Sequence, residues 1–185
     1  VVVFVLITHF ILTYSILLRL FSNLSIYSFY TKLKALIIFT FSTSSSNASI
    51  PYTLNTVVQK YGVDKSFASF SIPLGATINM DGTSCYQAVA AVFIANVMGF
   101  DLTMMDQLTI VLTATLASIG SAAVPGAGMV MLVIVLGAIN VPVEGLALIF
   151  GVDRILDMLR TVVNVTGDAT ITTIIASLEG KIKSK

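Results

Sequence analysis

Of the 185 residues, 56% are hydrophobic and only 10% are charged, the formal net charge is +1 and the mean hydropathy is +0.97. Soluble domains carry about 25% charged residues, so this chain reads as a multi-spanning membrane protein. It offers nucleic acid no basic patch, and the lone Cys85 excludes an internal disulfide.

The chain opens inside an apolar run, Val1–Leu18, without an initiator Met, a charged leader or a small-residue cleavage site. Residues 1–20 read as a transmembrane span closed by Arg19, and the whole as the C-terminal part of a longer protein. A polar connector, Ser22 to Lys34, follows. The short apolar piece Ala35–Phe41 then runs into five serines, a threonine and an asparagine between Ser42 and Ser49. Such a cluster cannot face lipid. It reads as the tip of a re-entrant hairpin over residues 22–62, with Pro51 opening the return helix and "QKYGVDK" ending it.

Residues 66–98 are apolar but interrupted by "NMDGT", Asn79 to Thr83, which predicts a broken span. No residue from Gln107 to Val143 is charged, and "SIGSAAVPGAG", Ser118 to Gly128, divides that stretch. It reads as a second re-entrant hairpin, residues 102–140. A last span over residues 143–178 and a tail over 179–185 complete the chain. Paired interrupted segments of this kind point to a transporter site built from an inverted repeat. Arg19, Lys32, Lys34, Lys60 and Lys65 flank the first hairpin, and Lys181, Lys183 and Lys185 end the chain; Asp101, Asp106 and Glu144 flank the second hairpin. By the positive-inside rule the first hairpin opens to the cytoplasm and the second to the outside, so the tips meet near the midplane.

The last span carries Asp153, Asp157, Arg160, Thr161, Asn164 and Asp168 on one stripe about 100° wide, with Arg154 at its edge. Each buried charge costs at least about 2.5–3.5 kcal/mol at the bilayer centre, so the stripe is mutually paired or functional. Asp153 is the member best explained as a structural ion-pair partner. Arg160 suits a carboxylate and Asp157 an ammonium group, a combination that fits a zwitterion with an extra acid group. Asn79, Asp81, Asn164 and Asp168 offer oxygen to a hard monovalent cation, and Gly82 permits the unwinding. The helix start near Asn47–Pro51 is a candidate anion site, or is simply capped by Ser46 or Asn47. "VPGAG" is no P-loop, since its Lys-Ser/Thr end is missing. The sequons at Asn23, Asn47 and Asn164 sit on no predicted outer loop. His9 and Cys85 read as packing residues, and the methionines as core filler, Met80 in the break excepted.

Together "TSSSNASIP", "PLGATINMDGT", "SIGSAAVPGAG" and "DMLRTVVNVTGD" resemble the signature segments of the dicarboxylate/amino acid:cation symporters, the glutamate transporter family. The likeness runs from about Ser42 onward, and the first span is similar to that family's sixth. It implies an all-α transport unit with two re-entrant hairpins in inverted repeat, moving like an elevator against a trimer-forming N-terminal scaffold. It further implies that the Ser46 amide, beside Ser45, and the Asn164 side chain hold a substrate α-carboxylate. Asp157 and Thr161, with carbonyls of Ser44 and Val124, would hold the amino group. Arg160, Thr83 and the Gly128 amide would hold the side-chain carboxylate. Implied cation ligands are Gly75, Asn79, Asn164 and Asp168 for one Na⁺ and Thr77, Ser118, Ile119 and Ser121 for another. Asn79 and Asp81, with groups from an earlier span, would hold a third.

The sequence departs from the family at Ser44, where some relatives have arginine, at Ser121 and Ala123, where Thr and Gly are common, and at Asn47. Keeping both Asp157 and Arg160 favours aspartate or glutamate. The short loops suggest a bacterial inner membrane. Other readings are a proton-coupled C4-dicarboxylate carrier, an anion channel, and an intramembrane aspartyl protease using Asp81 and Asp157. The last lacks the Gly-x-Gly-Asp motif.

Overall fold

The computed structural model describes residues 1–182; Lys183 and Lys185 of the basic tail lie outside the described residues. Among these there are nine α-helices and no strand, only an isolated antiparallel bridge between Val63 and Ile182. The first helix is continuous over Val2–Phe21 and is long and apolar enough to cross a membrane. It comprises α1 (Val2–Thr8), a π turn (His9–Thr13) and α2 (Tyr14–Phe21).

Two helix–turn–helix pairs follow, separated by a broken helix. In the first pair, α3 (Ile26–Thr43) and α4 (Ser46–Tyr61) meet at the serine cluster. Ser44 takes a left-handed conformation at φ 50, and Ser45 caps α4 by accepting from the Ala48 N–H at 3.2 Å. The pair lies within residues 22–62, but each helix begins earlier than its composition predicts. α3 begins within the supposed polar connector because Ser25 caps it. α4 begins five residues ahead of Pro51 because Ser45 supplies the cap, which leaves the proline inside the helix. Gly62, at φ 74, ends α4, and Asp64 caps the next helix through the Ser66 and Phe67 N–H groups.

The broken helix is α5 (Lys65–Ile78) and α6 (Asp81–Val97), parted at Asn79–Met80. Helix resumes at Asp81 itself, so the break is narrower than the five residues of "NMDGT". The second pair is α7 (Met104–Ile119), opened by a Thr103–Asp106 capping box, and α8 (Ala127–Ala138). A 3₁₀ turn, Val143–Leu146, leads into the 32-residue α9, Ala147–Leu178.

Helix α9 is the axis of the molecule and packs against each helix from α1 to α6. Tyr86, Ile94, Ile110, Leu132, Leu136 and Ile149 form one apolar core, which joins α6, α7 and α8 to the start of α9. Leu18, Phe29, Leu33, Val57, Ile72 and Ala169 form another, which joins α2 to α5 to its later half. The polar stripe of α9 lies between them. The perimeter is apolar: Phe4, Phe70, Leu112, Phe150 and Ile155 are all at least 60% exposed. Water would penalise such a surface and lipid does not.

Tyr61 ties the first pair together: its hydroxyl donates to the Phe29 carbonyl at 2.7 Å. Tyr61→Phe is expected to cost about 1 kcal/mol, read as a lower thermal unfolding midpoint.

Candidate functional site

Six helix ends converge on the polar stripe of α9. The tips of the two pairs touch directly: the Ser45 hydroxyl donates to the Ala123 carbonyl at 2.8 Å, and the Asn47 N–H reaches the same oxygen at 3.2 Å. Beneath them is a small polar cavity. Ser44 and Ser46 line it from the first tip and Ser121 to Val124 with Gly128 from the second. Met80 and Thr83 line it from the break, and Asp157, Thr161 and Asn164 from α9. About 20 Å³ is open to water centres, room for little more than one water, so a ligand of amino-acid size requires the tips to part.

The charged members are buried and paired. Arg160 is 1% exposed, and its Nη2 donates to Asp157 Oδ1 at 2.8 Å with Asp153 Oδ1 at 3.4 Å. Its guanidinium also lies over the Tyr86 ring, 3.8 Å from the centroid, in a cation–π contact. Arg160 is not part of the cavity wall. It sits behind Gly128, where a Cβ would come within 2.6 Å of Nη1. Its Nε and Nη1, and Ser44 Oγ, are buried without a hydrogen-bond partner among the described residues. Donors of this kind suit an incoming carboxylate. The other oxygen of Asp157 accepts from the Gly126 N–H at 2.9 Å, which tethers the second tip to α9.

Asn164 organises the break. Its Oδ1 accepts from the Gly82 N–H at 2.8 Å and lies 3.3 Å from the Thr83 N–H, while its Nδ2 donates to Thr83 Oγ1 at 3.1 Å. The start of α6 approaches α9 so closely that a Cβ on Gly82 would lie 2.9 Å from the Arg160 carbonyl.

The expected cation ligands separate into three groups. Asp168, buried in α9, accepts from Asn79 Nδ2 at 2.9 Å and lies against Gly75, where a Cβ would meet its Oδ1 at 2.6 Å. The oxygens that suit a hard monovalent cation here are the Asp168 carboxylate and the carbonyls of Gly75 and Asn164, which accept from the Asn79 backbone and side-chain N–H groups. Thr77, Ser118, Ile119 and Ser121 lie at the ends of α5 and α7, which touch. Thr77 and Ile119 are exposed, and the Thr77 and Ser118 hydroxyls turn back onto their own helices, whereas Ser121 lines the cavity. Asp81 lies near Asn79, and Tyr14 and His9 of the first helix hold its carboxylate at 2.6 and 2.9 Å. His9 is therefore a polar partner and not the packing residue that its surroundings suggested. Its position as the only ionisable side chain ahead of Tyr14 was the available signal. Sequence reasoning also passed over Tyr86 and Gln87. Both are fully buried, and Gln87 Nε2 donates to the Gly128 carbonyl at 3.1 Å. Ser45 joins the tips but does not line the cavity.

The model of the sodium:dicarboxylate symporter family matches residues 1–178. The chain belongs to that family. It is 47% identical over 159 residues to the proton/sodium-glutamate symport protein of Bacillus subtilis, covering 86% of this chain and 37% of that protein. It is 53% identical over 138 residues to excitatory amino acid transporter 3 of Mus musculus, covering 75% and 26% respectively. An excitatory amino acid transporter of Caenorhabditis elegans is 51% identical over 127 residues, 69% of this chain and 25% of that protein. The chain thus spans between 25% and 37% of these relatives' length. The family and these relatives are membrane transporters, not enzymes.

Gly82→Ala is expected to push α6 off α9 and to destabilise the protein by about 1–3 kcal/mol, measured by thermal unfolding.

Proposed function

We propose that this sodium:dicarboxylate symporter family chain is the substrate-carrying part of a Na⁺-driven symporter for acidic amino acids. The observation that carries the reading is the buried pair of opposite charges, Asp157 and Arg160, 2.8 Å apart under the two tips. An amino diacid can replace each partner of that pair with its own: its ammonium group meets Asp157, and its side-chain carboxylate meets the free donors of Arg160 with Thr83 and the Gly128 amide. Its α-carboxylate would take the Ser46 amide at the start of α4 and the Asn164 side chain, with Thr161 and carbonyls of Ser44 and Val124 around the amine. A ligand with one charge fewer leaves a buried group unpaired, which is costly.

In this reading Na⁺ binds at Asp168 with Gly75, Asn79 and Asn164, and a second ion binds the carbonyls of Thr77, Ser118, Ile119 and Ser121. Na⁺ is preferred over H⁺ because the Asp168 set is rich in oxygen. Cation and substrate are linked through the tether from Gly126 to Asp157: an ion that favours the closed second tip favours the bound ligand, and the reverse follows by reciprocity. The two helix pairs act as re-entrant hairpins from opposite faces of a bacterial inner membrane. The unit moves as an elevator against the rest of a longer, homotrimeric protein.

Arg160→Ala in the full-length protein is expected to abolish Na⁺-driven aspartate uptake into proteoliposomes, since it leaves Asp157 to repel an acidic ligand. Unchanged aspartate affinity contradicts the reading. Asp168→Asn is expected to raise the Na⁺ concentration for half-maximal uptake at least about tenfold. An identical Na⁺ titration removes that cation site.

A further inference from the structure

The π turn in the first helix has no part in the transport scheme above. Residues five apart on an α-helix point about 140° away from each other, so His9 and Tyr14 could not both face one neighbour. A π turn closes i→i+5 hydrogen bonds and fits more residues into each turn, which rotates residue i+5 back towards residue i. The turn spans His9–Thr13, and the two side chains it brings together meet on one oxygen of Asp81. Their rings touch edge to face, 5.3 Å between centroids.

The donors are assigned by chemistry. A carboxylate oxygen only accepts, so His9 Nε2 carries the hydrogen directed at Asp81, and Nδ1 takes the Thr13 hydroxyl at 3.2 Å. The Tyr14 hydroxyl has one hydrogen and two acceptors, Asp81 Oδ2 at 2.6 Å and the Val163 carbonyl of α9 at 2.8 Å. Gly167 of α9 makes room for the cluster: a Cβ there would lie 2.8 Å from the Tyr14 hydroxyl and 2.7 Å from Asn79 Nδ2. The second oxygen of Asp81 accepts from the Gly82 N–H at 2.9 Å, the same N–H that reaches Asn164. Asp81 is thus surrounded by donors, and a continuous chain runs from His9 and Tyr14 through Asp81 and Gly82 to a wall of the cavity.

We propose that His9 and Tyr14 are positioning residues. The π turn holds Asp81 against the first helix, fixes the break at Asn79–Met80 and, through Gly82, sets Asn164. Asp81 is the anchor in this arrangement. The uptake readout below rests on the Na⁺-coupled reading; the unfolding readout does not.

The full-length protein is purified without Na⁺, and the unfolding midpoints of Tyr14→Phe, Asp81→Asn and the double variant are compared. Both single changes are expected to lower the midpoint, and the double variant to be no worse than the poorer single. Additive losses overturn the proposal. Uptake by the same protein is then titrated with Na⁺. His9→Leu is expected to raise the half-saturating Na⁺ concentration at least about tenfold with a smaller change in maximal rate, and His9→Gln, which keeps an N–H donor, to stay within about threefold of the parent. Equal effects of the two His9 variants overturn the proposal, as does a shift confined to Asp81→Asn. A parent protein indifferent to Na⁺ refutes the coupling and leaves the unfolding cycle to decide the anchor.

Discussion

A guanidinium and a carboxylate held out of water on one helix govern this structure. Breaking a buried pair by removing one partner costs about 3–5 kcal/mol, so Arg160 and Asp157 must each be answered by something. Arg160 is answered by Asp157, by Asp153 and by the face of Tyr86. Asp157 is answered by Arg160 and by the backbone of the second tip. If the tip leaves, Asp157 keeps Arg160 but loses the Gly126 N–H, so a new donor at that oxygen would favour the open tip.

The surrounding architecture follows from the same constraint. Helix starts present free N–H groups and positive dipole ends, and helix ends present free carbonyls. Three helices, α4, α6 and α8, begin at the stripe, and α3, α5 and α7 end there. The unwound residues between them are tolerated because they face a polar cavity and each other. The Ser45–Ala123 and Asn47–Ala123 contacts satisfy backbone at both tips. Glycines at 75, 82, 128 and 167 let Asp168, Asn164, Arg160 and Tyr14 approach backbone at distances a side chain would forbid.

Much of this was legible in the sequence, because charge inside an apolar segment is a strong signal. The all-helical class, the divided segments and the stripe on α9 all follow from where Asp, Arg, Asn, Gly and Ser interrupt apolar runs. Helix limits were less legible. Ser25 and Ser45 act as caps, and a serine in a polar stretch does not announce whether it caps a helix or belongs to a loop. The π turn left no composition signal at all, since "HFILT" fits an α-helix as well. His9 reads as a packing residue for that reason: its contact with Asp81 depends on a local change of helical pitch and on a partner 72 residues away. Tyr86 and Gln87 were passed over because an aromatic and an amide on an apolar helix resemble packing until Arg160 and Gly128 are seen against them.

Ligand competition tests the central claim most directly. Uptake of labelled aspartate by the full-length protein would be challenged with unlabelled aspartate, with succinate, which lacks the amine, and with alanine, which lacks the second carboxylate. If the charge pair is what the ligand replaces, aspartate competes and each of the other two is weaker by at least about a hundredfold. Succinate competing as well as aspartate would show that Asp157 meets no ammonium group, and the account would fail.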